Sequence, residues 1–367
     1  MDKLDRRHLL GLSAAGFGAV VGCLDSDPEA TAENGSDEPD GNGSEGEDGD
    51  GDENASGNED GNGTETAQHP PCPDYGDSVD RVVCYDAIDP ETEPTYLEPS
   101  ARTVEEGTTV EFSLTNDSDE TLATNFYNWR VDKYVDGEWY RVAPLGHPDP
   151  LMSVEPGEQH TWTVTPDNDG ILDGDRIASG GGTEELTLVG VGSGTYAFRA
   201  RGWFEDSRDD EILAFATTFE LESAALTLEP TDAIEEVELE SGDDIDGDGD
   251  DAGDDDGDSA DEDSDTLVAH STRGDSDDEY HRLAAFELEV VDEPSDEGNA
   301  DPQHVITEQL LRFEQLWDAI ALADEHDVSA VRLEEYDATY PVFGRGSDGL
   351  YEYQGQYYRV RTRELEE

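Results

Sequence analysis

Lysine is nearly absent from this chain: Lys3 and Lys133 are the only two in 367 residues. Lys and Arg together number 20 against 96 Asp and Glu, a formal net charge of -76. No basic face can form of the kind that binds nucleic acid or anionic lipid electrostatically, so nucleic-acid partners are excluded. Three cysteines are too few for a disulfide-dense scaffold. The apolar run after Arg7 is too short and too rich in Gly and Ala to make a good membrane-spanning helix. The hydrophobic fraction, 34%, lies below that of a wholly globular chain. Catalytic signatures are missing as well: there is no H-E-x-x-H, G-x-S-x-G, P-loop or C-x-x-C. No cofactor or metal site is indicated. The eight histidines are scattered, and carboxylates are so abundant that no acid–base pair stands out.

What is present is strongly ordered along the chain. Arg6-Arg7 precedes a mild apolar run that ends at Val20-Val21-Gly22-Cys23. This resembles a twin-arginine export signal followed by a lipobox. The resemblance implies a signal peptide over 1–22, Cys23 as a lipid-bearing mature N-terminus, and folding before export. A two-chain lipid gives stable anchoring where one chain does not. Residues 24–71 contain 16 acids, no Lys or Arg, and no large apolar side chain after Leu24. They read, with Cys23, as a disordered acidic tether over 23–71. Its coil span is roughly 40 Å. Asn34, Asn42, Asn54 and Asn62 within it, and Asn116 beyond it, begin N-x-Ser/Thr sequons and are candidate glycosylation sites.

Cys72 and Cys84 bound a lead-in segment over 72–92. An even pair outside the cell reads as a disulfide that pins the start of the folded region. A metal site with His69 and two free buried thiols are the alternatives.

Residues 93–223 carry strand patterns separated by turn signals. Val110, Phe112 and Leu114 alternate, as do Trp162 with Val164 and Tyr196 with Phe198 and Ala200. Asp136-Gly137 joins two aromatic runs as a hairpin turn. The stretch Gly194-Thr195-Tyr196-Ala197-Phe198 resembles the tyrosine corner of immunoglobulin-like domains, with Phe198 in place of the core cysteine and Trp129 as the buried tryptophan. With Trp162, these residues mark the expected core of an immunoglobulin-like β-sandwich. The runs NFYNWRVDKYVDGEWYRVAP, SVEPGEQHTW and GSGTYAFRARGWF also resemble a family of haloarchaeal surface lipoproteins without assigned activity.

Residues 224–367 read as a small α+β module with a disordered acidic insertion at about 241–265. Strands flank the insertion, a third follows at HRLAAFELEVV, and a hairpin turns near Gln354-Gly355. One amphipathic helix is expected from an N-cap at Thr307, through Leu310, Leu311, Phe313, Leu316, Trp317 and Ile320. Asp244, Asp246, Asp248 and Gly249 open like a calcium loop, but Asp251 and Asp255 break the pattern. Gly344, Gly346 and Gly349 fit a G-x-G-x-x-G spacing with too little chain after them for a nucleotide-binding unit. His160 and His281 read as surface or core-edge residues.

The fold class is therefore mostly β: an immunoglobulin-like sandwich, then an α+β module. The expected role is a lipid-anchored, non-catalytic binding or structural module at the cell surface of a halophilic archaeon. The membrane is its partner through the lipid, with an envelope protein or glycan as a further candidate. The alternatives are an extracellular carboxylate-dependent hydrolase and a solute-binding lipoprotein. The tether and the acidic run from Glu235 to Asp265 carry -34 of the total charge, and the sandwich alone holds 27 acids against 8 bases. The folded surfaces are thus acidic themselves, and at molar salt their repulsion is screened beyond ~3 Å. Circular dichroism should show structure lost on transfer from molar KCl to dilute buffer. An unchanged spectrum would contradict salt adaptation.

Overall fold

The computed structural model describes residues 70–169, 171, 182–205, 211–240, 265–292, 301–345 and 347–365. Arg6, Arg7, Cys23, the four tether sequons and the aspartates at 244–248 lie outside them. The first body contains β1 (Arg81–Cys84), β2 (Thr95–Pro99), β3 (Thr103–Glu105), β4 (Val110–Asn116), β5 (Leu122–Thr124) and β6 (Arg130–Val135). It continues with β7 (Glu138–Ala143), β8 (Met152–Val154), β9 (Glu158–Pro166), β10 (Glu185–Leu188), β11 (Gly194–Phe204) and β12 (Leu213–Glu222).

These strands form two sheets. One has the order β10-β9-β4-β2. In the other, β12 pairs with β11, and β11 continues to β6 and β5 along its opposite edge. The outer edge of β12 takes β1 and β3, both parallel. Alternation explains the packing: Val110, Phe112 and Leu114 turn inward from β4 while Glu111 turns out. Phe112 stands opposite Trp162 in the register and stacks on Phe198 of the facing sheet, centroids 4.3 Å apart. Trp129 and Trp162 approach the same Phe198 ring at 6.2 and 5.6 Å. Tyr196 donates its hydroxyl proton to the Gly192 carbonyl, four residues back, at 2.7 Å. The body is an immunoglobulin-like β-sandwich, with Trp129, Trp162, Tyr196 and Phe198 in one core.

The β6–β7 turn has positive φ at both central residues, 51° at Asp136 and 97° at Gly137. That is the two-residue geometry matched to strand twist. Gln354 and Gly355 repeat it at 51° and 82°.

The second body is one seven-stranded sheet with two helices. It comprises β13 (Ile234–Glu240), β14 (Thr266–Ser271), β15 (Arg282–Val291), β16 (Gln303–His304), α1 (Thr307–Leu310), α2 (Glu314–His326), β17 (Ala330–Asp337), β18 (Gly349–Tyr353) and β19 (Gln356–Glu364). The strand order is β13-β14-β17-β15-β19-β18-β16. Leu316, Trp317 and Ile320 of α2 share a core with Phe286, Leu288, Leu333 and Val360. The outward positions carry cross-strand pairs instead: Arg359 with Glu289 at 2.9 Å and Arg363 with Glu287 at 2.8 Å.

Two expectations need correction. The helix from Thr307 is two helices, broken at Leu311–Phe313, and Ile306, not Thr307, occupies the N-cap position. Arg312 causes the break in register: it donates to the carbonyls of Val189 and Gly190 in the sandwich, at 3.0 and 3.1 Å. Asn116 cannot carry a glycan in the folded domain. It is 0% exposed, and its amide donates to the carbonyls of Glu120 and Val154.

The lead-in segment lies on the outer face of the larger sandwich sheet. Cys72 and Cys84 form a disulfide with Cα atoms 5.9 Å apart, and Tyr75 between them packs on Ala214 and Ala216 of β12. Closing a loop this short contributes about 3 kcal/mol. A Cys72→Ser/Cys84→Ser protein should therefore unfold at a lower denaturant concentration, by about that free energy. An unshifted midpoint would show that β1 pairing alone holds the segment.

Candidate functional site

Among the described residues, charged side chains are drawn into the interior at three places. The first is the junction of the two bodies. Glu308, in α1, is 2% exposed. It pairs with Lys133 of β6 and accepts the Gly192 N–H at 3.1 Å. Its Oε1 also lies 3.3 Å from the Tyr196 hydroxyl. Tyrosine has one proton, and the shorter bond to Gly192 takes it, so this last contact is the weaker share. Burial and the Glu308 charge push the Tyr196 phenol well above its usual range, and it stays neutral. Gln309 donates to the Arg141 carbonyl at 3.1 Å, and Ile306 enters the sandwich core.

The second place joins β14, α2 and β17. Arg273 pairs with Asp318, with Glu335 at 3.1 Å and with Glu314 at 3.1 Å. Asp318 is 0% exposed and also accepts the N–H and hydroxyl of Thr231, at 2.6 and 2.9 Å. Burial works against the Arg273 charge, but Asp318 and Glu335 outweigh it and raise its pKa. Burial raises that of Glu335, with Arg273 opposing.

The third place lies beneath the lead-in segment. Asp132 of β6 is fully buried and receives Arg130 at 2.5 Å. The Tyr75 ring sits between the guanidinium groups of Arg130 and Arg199, 5.3 and 5.1 Å from its centroid. Burial and the adjacent Asp132 charge drive the Tyr75 phenol far upward, so it stays protonated. Burial likewise raises the Asp132 carboxyl, against the pull of Arg130.

Other candidates resolve simply. An open depression of about 690 Å³ is lined by Glu105, Glu106, Glu220 and Glu222 with Ser193 and Ser223. The Ser193 hydroxyl donates to the Ser223 carbonyl and accepts the Ser223 N–H, and no histidine lines the depression to activate it. Cys72, Cys84 and Asp86 lie together, but disulfide sulfurs are not thiolate ligands, and Asp86 is held by Arg102 and Thr218. His160 stacks on Phe126 at 3.6 Å and donates from Nε2 to the Thr183 carbonyl at 2.6 Å, a core-edge position. His281 is half-buried and accepts the Asp275 N–H at Nδ1. Of the G-x-G-x-x-G set, Gly346 lies outside the described residues, and Gly349 opens β18 with no helix after it.

The sequence markers of the core thus converge, while Lys133, Glu308, Tyr75, Asp132 and Arg199 were not singled out in advance. One signal was available: Lys133 is the only lysine after the third residue.

No family model and no curated protein matches the chain. Among solved structures, a beta-glucosidase from Listeria innocua in complex with gluconolactone is similar at 13% identity and a TM-score of 0.16. The likeness covers 36% of this chain and 17% of the length of that one. At that score it carries no argument about fold or activity.

Removing one member of a buried pair leaves the other charge uncompensated, at about 3–5 kcal/mol. Calorimetry of Glu308→Ala should show that loss and a split of the unfolding into two transitions. Lys133→Met/Glu308→Leu, which removes both charges, should recover most of it. A single unshifted transition in Glu308→Ala would show that the junction does not depend on this carboxylate.

Proposed function

We propose that this chain is a lipid-anchored protein displayed at the cell surface of a halophilic archaeon, where it acts as a non-catalytic binding or structural module of the envelope. The observation that carries this reading is the use made of its buried polar side chains. Glu308 with Lys133 docks one body on the other, and Arg312 ties the helix break to the sandwich. Arg273 binds helix to sheet, and Tyr75 with the disulfide fastens the chain where it leaves the tether. These are the fastenings of a rigid body held out on a leash. The acidic exterior and the near absence of lysine support a setting of high salt.

No helix among the described residues is long and apolar enough to cross a membrane. In this reading attachment falls to Cys23, and the partner is an envelope protein or glycan. The reading divides into two measurements. Cys23→Ser should move the protein out of the membrane fraction of its host, and unchanged partition would overturn the anchor. Crosslinking on intact cells in native salt, followed by mass spectrometry, should recover envelope neighbours. Recovery of none would overturn the binding role.

A further inference from the structure

Cations are rare in this chain, yet the outer face of the larger sandwich sheet gathers them. Arg130 of β6 and Arg199 of β11 stand directly opposite each other in the antiparallel register. Like charges in that relation are destabilising. Asp132 answers Arg130, but among the described residues no carboxylate pairs with Arg199, which is 7% exposed. Its Nη2 donates to the Asn128 side chain at 3.0 Å, and its Nε has no hydrogen-bond partner among those residues. The hydroxyl of Tyr75, 8% exposed, has none either. The free oxygen of Asp132 is the third unpartnered atom of the same cluster. Buried donors without partners are costly, and so is a buried guanidinium that must share one carboxylate, Asp132, with its neighbours. Burial lowers the Arg199 guanidinium to about 10; Tyr75 and Asp132 act against that shift, and Arg130 and Arg201 add to it.

We propose that this face is a binding site for a compact monovalent anion of the halide class, held by Arg199 Nε–H and the Tyr75 hydroxyl. Arg130 and Arg199, with Arg141 within electrostatic reach, are set against the single carboxylate of Asp132, which leaves positive charge in excess, and a halide offsets part of it. Water would satisfy the hydrogen bonds and leave that charge unbalanced. Both Tyr75 and Arg199 are more than nine-tenths buried, which favours a small anion over an organic one. The free oxygen of Asp132 repels the ion toward the arginine side. The affinity required is small: at molar halide, a site with a dissociation constant of about 10 mM is already ~99% filled.

The test uses the full chain. Crystals grown in bromide should give an anomalous peak within hydrogen-bond distance of Arg199 Nε and the Tyr75 hydroxyl. Bromide at the outer surface only, or a peak explained by water, overturns the site. In solution, replacing gluconate by chloride at fixed cation and ionic strength should raise Tm saturably. Arg199→Gln should abolish that gain, and Arg201→Gln, altering a residue that reaches the Ser78 carbonyl instead, should retain it. If Arg199→Gln fails to fold, Tyr75→Phe removes one donor, keeps the ring, and should weaken the apparent halide affinity about 3- to 10-fold. Equal chloride dependence in the wild type and Tyr75→Phe overturns the proposal.

Discussion

Glu308 is a carboxylate taken almost wholly out of water, and such a group persists only where donors converge on it. The sandwich supplies them from a strand and a turn, Lys133 of β6 and the Gly192 N–H, with Tyr196 of β11 beside them. The last two belong to the tyrosine corner, whose own bond closes the turn into β11. A device internal to one immunoglobulin-like domain is thereby extended into the socket for a second body. The helix break follows from the same docking. Arg312 lies one turn beyond Glu308 and reaches back to Val189 and Gly190, so α1 is oriented by the sandwich rather than continuing into α2.

The scarcity of cations makes their placement informative. Where acids outnumber bases nearly five to one, an arginine on the surface meets a carboxylate by default, and such pairs contribute little. The pairs on the outward face of the seven-stranded sheet are of that kind. Lys133, Arg273 and Arg312 are different: each joins segments distant in sequence, and each does so where solvent is largely excluded or carbonyls are the acceptors. The rest of the exterior is dominated by carboxylates.

Much of the sandwich was legible because its signals are local. Alternation along β4, β9 and β11, the Asp136-Gly137 turn and the Tyr196 corner all lie within a few residues of the chain, as does the Gln354-Gly355 turn of the second body. β17 was not legible, because its inward set runs Val331, Leu333, Glu335, and the buried carboxylate reads as surface until Arg273 is brought to it. The apolar spacing through Leu310, Leu311 and Phe313 concealed a break whose cause lies more than 120 residues away. Asn116 shows the reverse error: a triplet fit for a surface loop ends a strand with its amide tied inward. Of the candidate sites, neither the Glu308 junction nor the Tyr75 cluster has a local pattern. Both are assembled by strand register and by docking.

The arginine pair beneath Tyr75 is the sharpest departure from this pattern of use. With 96 acidic residues in the chain, a second carboxylate opposite Arg199 would be an easy substitution if balance were the only demand. It would also bring a further desolvated ion with its own side-chain entropy and its own hydrogen bonds to fill. A halide has neither chain nor fixed orientation, and it reaches the site at no cost to the sequence. The proposed anion thus suits a protein whose exterior is committed to carboxylates. The solvent that screens their repulsion outside would supply, in its other ion, part of the counter-charge that the arginine cluster lacks within.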